Sequence, residues 1–131
     1  MNPPARDDAT FELSQRFYFE AAHTLEREID APGSKRIHGH TYEAEITLSG
    51  VPDAKSGMLV DLGVVRTEIA KVRARLDHQF LDEVQGLEKA TLEGLCAFIR
   101  CELQPLLPAL SAVAVERRAS GDRCVLRFSP H

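Results

Sequence analysis

The stretch Ser34-Lys35-Arg36-Ile37-His38-Gly39-His40-Thr41-Tyr42-Glu43-Ala44-Glu45-Ile46-Thr47-Leu48 decides how this chain is read. From His38 onward polar and apolar residues alternate, the period of a strand with one buried face. Successive side chains of a strand point to opposite faces, so His38 and His40 share a face with Tyr42, Ala44, Ile46 and Leu48. Gly39, Thr41, Glu43, Glu45 and Thr47 take the other. The histidines therefore point where the core points. Imidazoles at i and i+2 have Cβ atoms roughly 6.5 to 7 Å apart, within reach of one metal ion at about 2.0 to 2.1 Å from each nitrogen.

Working outward, residues 1–10 are polar and proline-containing and are expected to form a flexible tail ahead of a single domain over 11–131. From Phe11 a second alternation begins, with Phe11, Leu13, Phe17, Phe19, Ala21 and His23 on one face. Residues 24–36 carry mixed charge, and Pro32-Gly33 marks a turn, so a hairpin would set His23 against His38 and His40. Downstream, Asp61 is placed to cap a helix whose apolar stripe is Val65, Ile69, Val72 and Leu76. Leu76 to Asp82 ends that helix and starts a connection running to Ala90. Thr91 is placed to cap a second helix carrying Leu92, Leu95, Cys96, Ile99, Leu103 and Leu106, closed by Pro105 and Pro108. Leu110–Arg118 and Cys124–Phe128 read as a closing hairpin. The order β-β-α-α-β-β implies an α+β fold, a four-stranded antiparallel sheet with two helices on one face. Long strands with open edges call for oligomerisation.

A chain of 131 residues with net charge -4 has no basic field to attract nucleic acid or an anionic membrane. No apolar run approaches the roughly 18 residues of a membrane helix, and Met1 to Asp8 lacks a signal-peptide core, so a cytoplasmic protein is expected. Three cysteines, two of them (Cys96 and Cys101) within a helical pattern, read as small buried apolar residues rather than as disulfides or a cysteine metal cluster.

The chemistry starts from the histidines. His-x-His alone also fits hydrogen-bonded histidines at the edge of a core. A third, His23, on an apolar face favours a metal, because three unpartnered imidazoles in one core would each cost desolvation energy that coordination removes. Three neutral imidazoles form a zinc set with a fourth position open, where the ion acts as a Lewis acid. Asp77-His78 admits two readings as well: a helix-end carboxylate beside a cap, or an imidazole whose tautomer a carboxylate sets for acid-base work.

Phe19-Glu20-Ala21-Ala22-His23, His38-Gly39-His40, Gly57-Met58-Leu59-Val60-Asp61, Leu76-Asp77-His78-Gln79-Phe80-Leu81 and Thr91-Leu92-Glu93 together resemble the successive motifs of the 6-pyruvoyl-tetrahydropterin synthase and 6-carboxy-tetrahydropterin synthase family. The resemblance runs from about Phe11 to Phe128 and is closest to the bacterial queuosine-pathway branch. It implies a tunnelling fold in which three subunits close a barrel and two trimers stack into a hexamer, with active sites at subunit interfaces. It also implies Zn2+ on His23, His38 and His40, and Thr91 and Glu93 at the pterin. The implied reaction takes 7,8-dihydroneopterin triphosphate: zinc acidifies a C–H beside the bound oxygens, a cysteine removes the proton, and Asp77 and His78 handle the other. Triphosphate leaves, and in the queuosine branch the side chain is cleaved too.

Two positions depart from that pattern. The family's cysteine is Ser34 here, and a hydroxyl is a far weaker base at neutral pH than a thiol with a reference pKa near 8.5. The family's pterin-anchoring glutamate falls in register on Arg117, which only donates hydrogen bonds, and Glu116 reaches that face only if a bulge shifts the strand. Besides the queuosine-type lyase, the sequence therefore admits three other outcomes. One is a 6-pyruvoyl-type enzyme, another a diverged zinc enzyme for some other anionic substrate, and the last a zinc-holding pterin-binding protein without turnover.

Overall fold

A computed structural model of the chain describes residues 8–25, 27, 29 and 31–131, the side chains of Ala31 and Ser34 excepted. Most of the tail expected over residues 1–10, namely 1–7, lies outside the described residues. Strand β1 (Phe11–His23) and strand β2 (His38–Gly50) pair antiparallel over their whole length, Phe11 opposite Gly50 and His23 opposite His38. Their alternation sorts the side chains as the sequence requires. Phe17, Phe19, Ala21, Tyr42, Ala44, Ile46 and Leu48 are buried, whereas Arg16, Tyr18, Glu20 and Thr41 of the opposite face are exposed.

Helix α1 (Ala31–Lys35) occupies part of the segment between them, where the sequence suggested only a turn. Pro32 is tolerated there because a first-turn N–H has no helical partner to lose. Helix α2 (Leu62–Leu76) starts where Asp61 Oδ1 accepts the Gly63 N–H at 2.8 Å, and it buries Val65, Ile69, Val72 and Leu76. Helix α3 (Leu92–Leu103) is capped by Thr91, whose Oγ1 accepts the Gly94 N–H at 3.0 Å, and it buries Leu95, Cys96, Phe98, Ile99 and Leu103. Truncating one of these large residues to alanine costs about 2–5 kcal/mol. Two readings of this region are corrected. The helix stops at Leu103, leaving Leu106 55% exposed while Leu107 turns inward. Cys101 is exposed rather than buried; Cys96 is buried, Cys124 is half-buried, and all three are free.

Strands β4 (Leu110–Arg117) and β5 (Asp122–Arg127) close the chain, joined through Gly121 at φ 79°, a left-handed turn position that suits glycine. The sheet has five strands, not the four expected. Residues Gln79–Phe80 form a two-residue strand β3 parallel to the end of β1, giving the order β3-β1-β2-β4-β5. The pairing arises because the chain leaving α2 turns back along β1, the His78 N–H donating to the Glu20 carbonyl at 2.6 Å. A 3₁₀ turn, Leu81–Glu83, then leads toward α3.

Helix α2 packs on β1 and α3 on β4 and β5, and one core fills the space between helices and sheet. The other face carries an ion network: Arg16 Nε to Glu45 at 2.8 Å, Arg118 Nε to Glu43 at 2.6 Å, and Arg123 bridging Glu45 and Glu116 at 3.5 and 3.7 Å. Among the described residues no helix is long and apolar enough to cross a membrane.

Candidate metal centre and the cavities around it

The β1–β2 register places three histidines at one end of the sheet. Their ring centroids form a near-equilateral triangle, 4.6 Å from His23 to His38, 4.9 Å from His23 to His40 and 5.0 Å from His38 to His40. One nitrogen from each lies within 4.8 Å of the others, a group able to hold a metal ion. Backbone carbonyls fix two of the rings. His23 Nδ1 donates to Ala90 O at 2.7 Å and His38 Nδ1 to Arg36 O at 2.8 Å, which leaves each Nε2 as a lone pair. His23 is 1% exposed, and its Nε2 is buried with no hydrogen-bond partner. A buried acceptor left unpaired costs about 1–3 kcal/mol, and a bound cation is the partner its geometry lacks.

Electrostatics favour the neutral, ligating form of His23 and His40. Burial lowers the His23 pKa, opposed by the Ala90 carbonyl and assisted by His38 and Arg117. His40 is lowered to about 4, first by burial and then by the nearby His23, Arg117 and His38. Tyr42 stands behind the cluster with its hydroxyl 3.4 Å from His23 Nδ1; burial raises that phenol to about 12, so it stays protonated. The donor set is thus three imidazoles, a set suited to zinc and other borderline divalent metals.

Arg117 joins this cluster and Glu116 does not. The β2–β4 register runs without interruption from Glu43↔Glu116 to Thr47↔Ala112, and its one irregularity lies farther on, between Thr47 and Leu48. Strand parity therefore leaves Glu116 among Arg118 and Arg123 on the outer face. Arg117 turns toward the histidines, with Nη1 3.5 Å from His40 Nε2 and Nη2 3.1 Å from Asp122 Oδ2. Thr91 and Glu93 border the same cavity of about 170 Å³ as His23, Tyr42 and Arg117.

Asp77 and His78 sit elsewhere. Asp77 Oδ1 accepts the Glu20 N–H at 2.9 Å and Oδ2 pairs with Arg73 at 3.1 Å, while His78 Nε2 is 3.5 Å from Oδ2. The Glu20 amide, then Arg73 and His78, hold this carboxyl below the usual aspartate range. His78 is 76% exposed at the side chain and has φ 58°, a conformation uncommon outside glycine and one that concentrates at functional sites. With Glu20, Gly39 and Thr41 it lines a cavity of about 540 Å³, which His40 also borders. Glu20 and Thr41 belong to the sheet face away from the helices, so the pair opens toward that face, and among the described residues no hydrogen bond or ion pair joins Asp77 or His78 to the three histidines. The side chain of Ser34 lies outside the described residues.

The family described as 6-pyruvoyl tetrahydropterin synthase matches residues 12–127, nearly the whole chain. This chain belongs to that family. Within the family, a 6-carboxy-5,6,7,8-tetrahydropterin synthase of Synechocystis sp. is 30% identical over 109 residues, covering 79% of this chain and 83% of that protein. The protein of the same name from Bacillus subtilis is 36% identical over 81 residues, 62% of this chain and 53% of its own. A Caenorhabditis elegans 6-pyruvoyl tetrahydropterin synthase structure superposes with a TM-score of 0.80 at 23% identity, covering 92% of this chain and 97% of that one. At that identity the likeness shows the fold. As a member of this pterin synthase family, the chain presents the histidine cluster in the expected α+β scaffold, with the fifth strand as an addition. Three contributors gave no recognisable sign in sequence: the Ala90 and Arg36 carbonyls, which have no side-chain signature, and Asp122, which reads as an ordinary turn residue. Tyr42 was visible as a core-facing residue of the histidine strand, though not as a neighbour of His23.

Proposed function

We propose that this chain is a zinc-dependent pterin lyase of the 6-carboxy-tetrahydropterin synthase type, taking 7,8-dihydroneopterin triphosphate with loss of triphosphate and side-chain cleavage. The observation that carries the reading is the buried His23 Nε2, held partnerless between His38 and His40 by its own Nδ1–H bond to Ala90. Bound by these three residues, zinc would supply Lewis-acid polarisation of a substrate oxygen. The chain's residues do the rest. Thr91 and Glu93 border the ring cavity, and His78, oriented by Asp77, moves a proton.

Because no hydrogen bond or ion pair joins Asp77 or His78 to the cluster among the described residues, this reading has them serve a site shared with a neighbouring chain, and the active unit is a trimer or hexamer closed into a barrel. The charged outer face and the edge of β1 away from β2, which β3 covers only at Ala21 and Ala22, support such an assembly. Ser34 stands where the resemblance expects a thiol, and a neutral hydroxyl takes no proton unaided. That substitution favours a second reading, a zinc-holding pterin-binding protein without turnover. Incubating zinc-loaded protein with 7,8-dihydroneopterin triphosphate and resolving the products by chromatography and mass spectrometry decides between them. Release of triphosphate with a 6-carboxy pterin is expected; bound but unchanged substrate would favour the second reading.

A further inference from the structure

Arg117 and Glu93 line one small cavity together with His23, Tyr42 and Thr91. Arg117 ends β4 and Glu93 lies exposed in the first turn of α3, and among the described residues no ion pair joins them. A guanidinium carries five N–H donors, all in one plane. In Arg117, 20% exposed at the side chain, Nη2 is committed to Asp122, Nη1 makes only a long approach to His40, and the buried Nε has no partner. The residue thus holds unused in-plane donors beside the histidine cluster. The Glu93 carboxylate in the same lining offers in-plane acceptors.

We propose that Arg117 and Glu93 together read a fused lactam ring: Arg117 donates to the adjacent 4-oxo oxygen and N5 of a pterin, and Glu93 accepts from its N3–H and 2-amino group. This rests on the pterin reading above and names the groups that would recognise the ring. The oxygen–nitrogen pair is the same in-plane acceptor pattern that arginine reads as O6 and N7 of guanine. A carboxylate reads the neighbouring donor edge by two N–H···O bonds. Two opposite charges therefore cover two adjacent edges of one ring, so Arg117 does not have to do the work of a glutamate. One consequence follows for turnover. N5 accepts in a 7,8-dihydropterin but carries a hydrogen in a tetrahydropterin, so the product of the proposed reaction turns a donor toward Arg117 and is released.

Fluorescence or calorimetric titration of the zinc-loaded protein with pterin and with 5-deazapterin, which replaces N5 by C–H, tests the assignment. Wild-type protein is expected to prefer pterin on the order of tenfold or more, since good bidentate pairs discriminate by about that much. Arg117→Ala and the more conservative Arg117→Lys should both erase most of that preference. Glu93→Gln should weaken both ligands alike and leave their ratio unchanged. Equal affinity of the wild type for the two rings, a preference that survives in Arg117→Ala, or no binding of either ring overturns the inference. Turnover of 7,8-dihydroneopterin triphosphate without this discrimination would overturn it while leaving the lyase reading intact. Arg117-dependent discrimination without turnover would do the reverse.

Discussion

Replacing Gly94 by alanine should loosen the metal site from a distance. A Cβ at Gly94 would lie 1.9 Å from the Lys89 carbonyl oxygen and 2.9 Å from its carbon, both backbone atoms, and 3.3 Å from Thr91 Oγ1. Restoring a contact of about 3 Å requires the Lys89 carbonyl to move by roughly 1 Å, and overpacking of this kind costs about 1–3 kcal/mol. The next residue is Ala90, whose carbonyl holds His23 Nδ1 at 2.7 Å; a shift of that size stretches this bond beyond hydrogen-bonding range. Removing a group that orients a metal-ligating histidine lowers metal affinity by about 10- to 100-fold. Zinc affinity measured by competition with a chromophoric chelator, alongside urea unfolding, reads both effects. Ala97→Gly is the control. It lies on the exposed side of α3 and should cost about 1 kcal/mol of stability with no change in zinc affinity. Wild-type zinc affinity in Gly94→Ala would refute the claim that the Lys89–Thr91 segment positions His23.

Zinc at a hundred times its Kd should stabilise the fold by about 2.7 kcal/mol, roughly 10 °C in Tm for a domain of this size, and His38→Ala should abolish the shift; an equal shift in that variant would count against the cluster as the site. Ser34→Cys should raise turnover of 7,8-dihydroneopterin triphosphate, because a thiolate near a cation is accessible at pH 7 and an alkoxide is not; unchanged rates would remove position 34 from the proton transfer. The Asp77 pKa is depressed below 3.8, so its contribution to stability is present above that value and lost only as pH falls through the lower folded pKa. An NMR titration of the Asp77 carboxyl should give a midpoint below 3.8, and a midpoint at or above it would contradict the capping role of the Glu20 amide.

The long elements were legible because period and burial agree. Strands β1 and β2 bury Phe17, Phe19, Ala21, Tyr42, Ala44, Ile46 and Leu48 on the expected face, although Phe11 at the start of β1 is exposed and Glu43 of the other face is buried among its arginine partners. The four apolar positions expected of α2 are the four it buries. The β3 strand was not legible, since two residues carry no period and their pairing is set by the His78 bond to Glu20, a tertiary contact. Helix α1 was hidden for a similar reason, being a single turn of weak formers around Pro32-Gly33. Around the site, the three histidines could be read from parity along two strands. The choice between Glu116 and Arg117 could not, because one bulge anywhere in the ladder reverses parity, and only the observed position of that bulge at Thr47/Leu48 settles which residue faces the histidines. Parity also gave no hint of where Asp77 and His78 would lie relative to the cluster, since a turn with φ 58° at His78 redirects the chain.

X-ray absorption spectroscopy at the zinc edge, on protein loaded with one equivalent of zinc, tests the metal centre most directly. The account predicts imidazole scattering from three histidines with nitrogen neighbours at about 2.0–2.1 Å and no sulfur shell. A sulfur neighbour at about 2.3 Å, placing the ion on Cys96, Cys101 or Cys124, or a spectrum unchanged in His38→Ala, would contradict it.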